Sequence, residues 1–461
     1  MLNLLIKPVW LVIENQVQNQ VGHAAYGTFM ALYSFTYMFG VLTDMGMNQF
    51  TTKQLAASDT FAPEYFPVLF PLKWLFSLVF PFFILVGGWL IGYREREMYY
   101  LLLIGLGFTF TQFIAFLRSV LQGSHLFNTD AVASVGERLV LLVLVGILFW
   151  YGLTLDGYIY ARTLALLLTF GAVYFTVRQK FGSFGFAFDS QKVKYLFKAS
   201  LPFAVMTLVY GVNEKVDMVM LERLSSKTEA GIYAAAYRWV DAAMMYLWTV
   251  LPIFFARFAA TDQNRPEQEK LLQFGQVVVS VPVIFGCVFI FYYGRLLFWQ
   301  FTNSSVQEIN MMQLNLVLLF ANVLVHGFFA LYGTLLNSGR HVSTVSWLIG
   351  ASIVLNISLN AIFIPVYGSL AAATNTLLCA LFVSGGYLVI IKQRLPVRVP
   401  YGLMARLILV TLLLIGLFKT GTYLPVPWYG TAILAGIIYL GLIVFLRIIR
   451  LEDVQKLLRR N

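Results

Sequence analysis

The sequence predicts an all-α membrane fold of about 14 transmembrane helices. The first observation behind this is compositional: 59% of the 461 residues are apolar and only 11% are charged. Soluble domains carry about a quarter charged residues and need polar cover for their surface, which this chain does not supply. The second is that the apolar residues come in runs of bilayer length. The third is that these runs are continuous instead of alternating, which selects helices over a membrane barrel. The 41 Phe, 25 Tyr and 9 Trp suit lipid contact and the headgroup boundary.

A spanning helix needs roughly 20 apolar residues. The first run, 1–17, is partial on that ruler, because Lys7 and Glu14 interrupt it. It predicts a natural start upstream of Met1. Runs at 24–43, 67–92, 98–121, 131–154 and 156–177 complete a group of six. The basic linker "RQKFGSFGFAFDSQKVKYLFK" follows. A second six occupies 199–222, 232–259, 272–298, 311–337, 342–365 and 368–391. The linker "KQRLPVRVPYGLMAR" then precedes 407–421 and 428–447. The predicted organisation is an N-terminal six-helix lobe over 1–180 and a C-terminal six-helix lobe over 181–395. Two additional helices and a basic tail fill 396–461.

Loop charge gives the orientation. With the N-terminus inside, the inner loops and tail hold 20 of the 32 Lys and Arg, and the outer loops hold 6. This asymmetry predicts both termini in the cytoplasm. It also accounts for the net charge of +11 without nucleic acid, since the basic residues mark topology and form no phosphate-tracking patch. The inner set includes Lys53 and Arg340 and the tail "RIIRLEDVQKLLRR", expected at the anionic inner surface. Cys287 and Cys379 fall in apolar spans, so neither a disulfide nor a metal site is predicted.

An internal repeat supports the two sixes. Gly27, Phe29, Ala31 and Tyr33 open the second span, and Gly231, Tyr233, Ala235 and Tyr237 open the eighth. The shared pattern is G-x-[F/Y]-x-A-x-Y. Six spans per repeat place both halves in one orientation, as in transporters built from parallel repeats.

Three stretches carry a family resemblance. They are "VGHAAYGTFMALYSFTYMFGVLTDMGMNQF", "NEKVDMVMLERLSSKTEAGIYAAAYRWVDA" and "LNISLNAIFIPVYGSLAAATNTLL". They resemble, in order and register, oligosaccharide flippases of the multidrug/oligosaccharidyl-lipid/polysaccharide exporter superfamily. The second contributes Asn213, Lys215, Asp217, Gly231, Tyr233, Ala235, Ala236, Tyr237 and Arg238. The third contributes Asn356, Asn360, Ile364, Pro365, Tyr367 and Gly368. The departure is the short N-terminus. The resemblance implies a two-lobed helical transporter with a central cavity in a bacterial cytoplasmic (inner) membrane. The implied substrate is a polyprenyl-diphosphate-linked oligosaccharide, moved by alternating access for surface polysaccharide biosynthesis, including lipopolysaccharide. The implied partners are that substrate, the lipid bilayer and other surface-polysaccharide assembly proteins.

Charges at membrane depth are costly and mark candidate function. Asp217 and Arg238 lie at near-equal depth in the hairpin of the seventh and eighth spans, as do Lys215 and Asp241. Each is about six residues into its span, roughly 9 Å below the surface. Two cross-helix ion pairs are expected there. With Glu214 and Glu14, these residues are the gating or coupling candidates, against the plainer reading that the pairs only fix the hairpin. For an anionic substrate group, Arg138, Arg162 and Lys73 are the candidates, against the alternative of snorkelling or helix-locking cations. Glu137 partly offsets Arg138. Asn213, Asn356 and Asn360 are read as helix–helix hydrogen bonds. Pro202, Pro252, Pro282 and Pro365 are expected to kink or end helices.

No Walker motif, catalytic triad or paired-carboxylate spacing appears, so the sequence is not read as an enzyme and no cofactor is expected. A cation-coupled multidrug exporter of the same fold is the alternative. A membrane glycosyltransferase or polymerase of the same pathway is disfavoured, because no sizeable polar loop carries acidic residues.

Overall fold

The computed structural model describes residues 2–448 except 49, 52–53, 55–60, 183–184, 186, 262–263, 340, 396 and 398–399. Lys53, Arg340, Arg398 and the tail beyond residue 448 therefore lie outside the described residues. Fourteen long helices form among the described residues, with no strand. They are α1 (Leu2–Val21), α2 (His23–Met38), α3 (Phe61–Leu90), α4 (Glu95–Gly123), α5 (Phe127–Tyr151), α6 (Leu155–Phe181) and α7 (Ser190–Leu224). Then come α8 (Lys227–Ala260), α9 (Arg265–Tyr293), α10 (Val306–Ser338), α11 (Val342–Tyr367), α12 (Ser369–Arg394), α13 (Tyr401–Gly421) and α14 (Trp428–Phe445).

Length and apolarity make eleven of these fit to cross a membrane, or twelve when the two parts of α7 count as one span. The exceptions are α1, of 20 residues, and α2, of 16. Helix ends follow local chemistry. Thr154 Oγ1 accepts from the Gly157 amide at the start of α6, and Asp189 Oδ1 accepts from the Gln191 and Lys192 amides at the start of α7. Ser305 and Glu308 form a capping box at α10. Gly152, Gly182 and Gly368, all at positive φ, end α5, α6 and α11. Pro252, Pro282 and Pro365 lie inside helices, while α7 bends by 46° where Ser190–Leu201 gives way to Phe203–Leu224, at Pro202.

The chain divides into two compact units, Met1–Ala234 and Ala235–Asn461. The sequence-based division at 180/181 differs because α7 packs along α2 and so joins the first unit. In the first unit one core gathers Phe66, Leu69 and Leu72 of α3, Phe116 and Leu117 of α4, Val173 and Val177 of α6 and Leu196 of α7. The opposite stripe of α3, Leu75, Leu78, Phe82, Val86 and Trp89, is exposed at helical spacing, as a lipid-facing surface should be.

In the second unit α13 and α14 pack on α9 through Ile284, Val288, Leu414, Phe418 and Tyr439. The Tyr292 ring stacks on Phe418 at 6.0 Å, and Tyr439 donates to the Val281 carbonyl at 2.9 Å. Asn360 donates to Asn356 at 3.1 Å and accepts from Asn375 of α12 at 2.9 Å, so these two asparagines do act within and between helices. Asn213 does not share that role. It is exposed on α7, and its side chain makes no hydrogen bond among the described residues.

Candidate substrate cavity

The first unit encloses a cavity of about 230 Å³ walled by α1, α2, α4, α5 and α6. Its polar wall comes from Glu137 and Arg138 on α5, Thr111 on α4, and Arg162 and Thr163 on α6. Trp10, Phe29, Tyr33 and Phe108 supply the aromatic wall. The structure thus brings Arg138 and Arg162 to one site.

Arg162 is held from several sides. Its Nη1 donates to the Tyr158 hydroxyl at 3.3 Å and lies 3.6 Å from the Glu14 carboxylate. The Tyr158 hydroxyl in turn donates to Glu14 at 3.3 Å. Tyr158 is one turn before Arg162, which is why the two meet. The guanidinium sits 4.8 Å over the Tyr33 ring and 5.6 Å over Phe29, and Phe29 meets Tyr158 edge-on at 5.2 Å. A guanidinium fixed by rings and one carboxylate keeps part of its donor fork for a ligand.

Arg138 is different. Its Nη1 is buried at the cavity wall with no hydrogen-bond partner among the described residues. A buried charged donor left unpaired is expensive, so such a nitrogen calls for an acceptor.

The remaining candidates lie elsewhere. Lys73 is fully buried on α3 and does not line the cavity. Its Nζ is 2.8 Å from Asp44 and 3.5 Å from Asn48 Oδ1. It neither snorkels nor faces the two arginines, because Asp44, just beyond α2, takes its charge. On α7, Lys215 lies 3.0 Å from Glu214 and 5.7 Å over the Tyr37 ring, and Asp217 is buried. Arg238, buried, and Asp241, half-buried, belong to the second unit. Glu14, grouped by sequence with the gating residues, stands beside the cavity as the counter-ion of Arg162.

Sequence reasoning missed Tyr158, Trp10, Phe29 and Tyr33 as site residues. The signal for Tyr158 was its i−4 spacing from Arg162. That for Phe29 and Tyr33 was their place in the repeat. Nothing in the sequence singles out Trp10 among nine tryptophans.

The helices, eleven or twelve of them fit to cross a bilayer, define a multi-pass membrane protein with a polar cavity in its first unit. The chain resembles the structure of the lipid II flippase MurJ in an inward closed conformation, with a TM-score of 0.79 at 15% identity over 97% of this chain and 98% of that one. It also resembles a multidrug resistance MATE family transporter of the MOP superfamily in an inward-facing conformation (TM-score 0.67, 14% identity, 84% and 94% covered). The outward-facing form of such a transporter gives 0.61 at 14% identity, with 86% and 93% covered. At these identities the likeness shows the fold. The family described as "Polysaccharide biosynthesis protein" matches residues 1–256, and the chain belongs to that family. No curated protein matches it.

Proposed function

We propose that this protein is a flippase for a polyprenyl-diphosphate-linked oligosaccharide, working by alternating access in the bacterial cytoplasmic membrane with both termini inside. It serves surface polysaccharide biosynthesis and is not an enzyme. The observation that carries the reading is the unpartnered, buried Nη1 of Arg138 at a cavity wall shared with Arg162. Two guanidinium forks around one small space suit a diphosphate. At about 230 Å³ the cavity is below the roughly 300–1,000 Å³ of drug-sized ligand sites, so it takes the anionic headgroup and not a whole glycan. Family membership supports a role in polysaccharide assembly, and other assembly proteins are the expected partners. A gating or coupling role for Glu214, Lys215, Asp217, Arg238 and Asp241 stays part of the proposal.

The second reading is a cation-coupled multidrug exporter. It draws on Glu137 in the cavity wall and on Glu14, the counter-ion of Arg162 beside it. Gene deletion separates the two. Loss of surface glycan, with lipid-linked units stranded on the inner leaflet, is expected for the flippase. Unchanged glycan with altered drug sensitivity is the result that overturns it.

A further inference from the structure

The basic stretch 178–198 carries five cations, Arg178, Lys180, Lys192, Lys194 and Lys198, against one acid, Asp189. It joins the end of α6 to the first turns of α7 and passes the start of α3, where the Ala187 amide donates to the Pro67 carbonyl at 2.9 Å. The acid is spent on the helix start, since its carboxylate accepts from the Gln191 and Lys192 amides. Lys192 is spent too. Its Nζ lies 3.4 Å from the Glu64 carboxylate, donates to the Glu64 carbonyl at 3.2 Å and sits 5.2 Å over the Tyr65 ring. Lys192 thus ties α7 to α3. Arg178, Lys180, Lys194 and Lys198 are all exposed, and no carboxylate among the described residues pairs with them.

The first turns of α7 have two unlike faces. Val193 and Leu196 pack into the core made with α3, α4 and α6. Gln191, Lys194, Tyr195, Lys198 and Leu201 recur at helical spacing on the other side, and all five are exposed. Large rings lie among these cations. Phe188, just before α7, is 82% exposed, and Tyr195 is 48% exposed although it leans on Tyr65 at 5.8 Å. Water alone gives a phenyl ring no reason to stand so far out. Bilayer headgroups suit both groups, with rings at the acyl boundary and ammonium groups at the phosphates. The helix direction agrees. Ser190–Leu201 turns by 46° from Phe203–Leu224, so these turns leave the line of the rest of α7.

We propose that this face docks on the anionic phospholipid headgroups of the protein's own membrane. Arg178, Lys180, Lys194 and Lys198 meet the phosphates, and Phe188 and Tyr195 seat between the headgroups. Charge complementarity selects anionic over zwitterionic headgroups, because four cations without carboxylate partners draw phosphates whose charge no choline cancels. An acidic protein partner would answer the cations but not the Phe188 ring. The docking follows from membrane insertion and does not depend on which substrate the cavity takes.

The test places a nitroxide at Gln191→Cys, on the exposed face but outside the named set. The two native cysteines, both buried, are replaced by alanine. The full chain is set in nanodiscs of phosphatidylcholine with or without phosphatidylglycerol. Collisions with a neutral nickel chelate report how far the label stands in water. Phosphatidylglycerol should cut the collision rate at least about threefold, and high salt should restore part of it. Lys194→Glu with Lys198→Glu should abolish this protection while thermal stability in phosphatidylcholine stays at the parental value. Phe188→Ser should weaken it. Equal collision rates in the two lipids, or protection that survives the charge reversal, overturn the proposal. Where the reversed variant fails to fold, Lys194→Gln with Lys198→Gln decides, and full protection there overturns it equally.

Discussion

Arg162 and Glu14 stand 3.6 Å apart, with the Tyr158 hydroxyl bonded to both. The pair is largely buried, at 23% and 16% exposure. Removing one member leaves the other's charge poorly solvated. Arg162→Ala should therefore destabilise the protein by about 2 kcal/mol. Glu14→Gln combined with Arg162→Ala should cost clearly less than the sum of the two single changes. Thermal unfolding in nanodiscs measures the cycle. Additivity to within about 0.5 kcal/mol would show that the two groups do not couple.

Arg138 should behave in the opposite way. With no partner for Nη1, its truncation removes no bond at that nitrogen. Arg138→Ala should leave stability within about 0.5 kcal/mol of the parent, yet weaken binding of a polyprenyl diphosphate at least about tenfold. Arg138→Lys should rescue only in part, because a lysine offers a point charge and no fork. Titration of the purified variants with the lipid checks this, and unchanged affinity in both would remove Arg138 from the substrate path.

Lys73 offers a control. Lys73→Met strands Asp44 and should cost about 3–5 kcal/mol, as for a broken buried pair. Adding Asp44→Leu should recover part of that loss. Recovery stays incomplete, because Asp44 also accepts the Asn48 amide at 3.1 Å. Lipid affinity of the folded double variant should match the parent. A shift in affinity would return Lys73 to the substrate site.

In the second unit the asparagine chain sets a further expectation. Asn360→Ala removes the bonds to Asn356 and Asn375 at once, leaving two buried amides short of a partner. A loss of about 1–3 kcal/mol follows. Retained stability would mean that the neighbours find other partners.

The sequence was most legible where one solvent dictates one answer. A continuous apolar run in lipid must form a helix, because every backbone group has to be satisfied within the segment. That alone gives the helices from α3 to α14, with ends shifted by up to nine residues, the most at the start of α7. α1 is legible only as a partial span, since Lys7 and Glu14 interrupt it. Arg138 and Arg162 were legible as charges at depth. Their shared cavity was not, because which faces of α5 and α6 turn together depends on packing.

Other features needed the tertiary structure outright. Asp44 lies at the end of a predicted span and gives no hint of Lys73, 29 positions away in the chain. Glu14 falls in an interrupted run, and its bond to Arg162 spans most of the first unit's chain. Gly27 and Gly231 were visible as a faint repeat, yet only the packing showed that a Cβ on Gly27 would meet the Lys227 and Gly231 backbone and one on Gly231 the His23 backbone. By itself, then, the sequence determined a helical membrane protein with a repeat and a few costly charges, because hydration and backbone hydrogen bonding depend on local composition. The folded chain decided which charge pairs with which and which small residues touch, because those choices rest on distances between helices that no local pattern encodes.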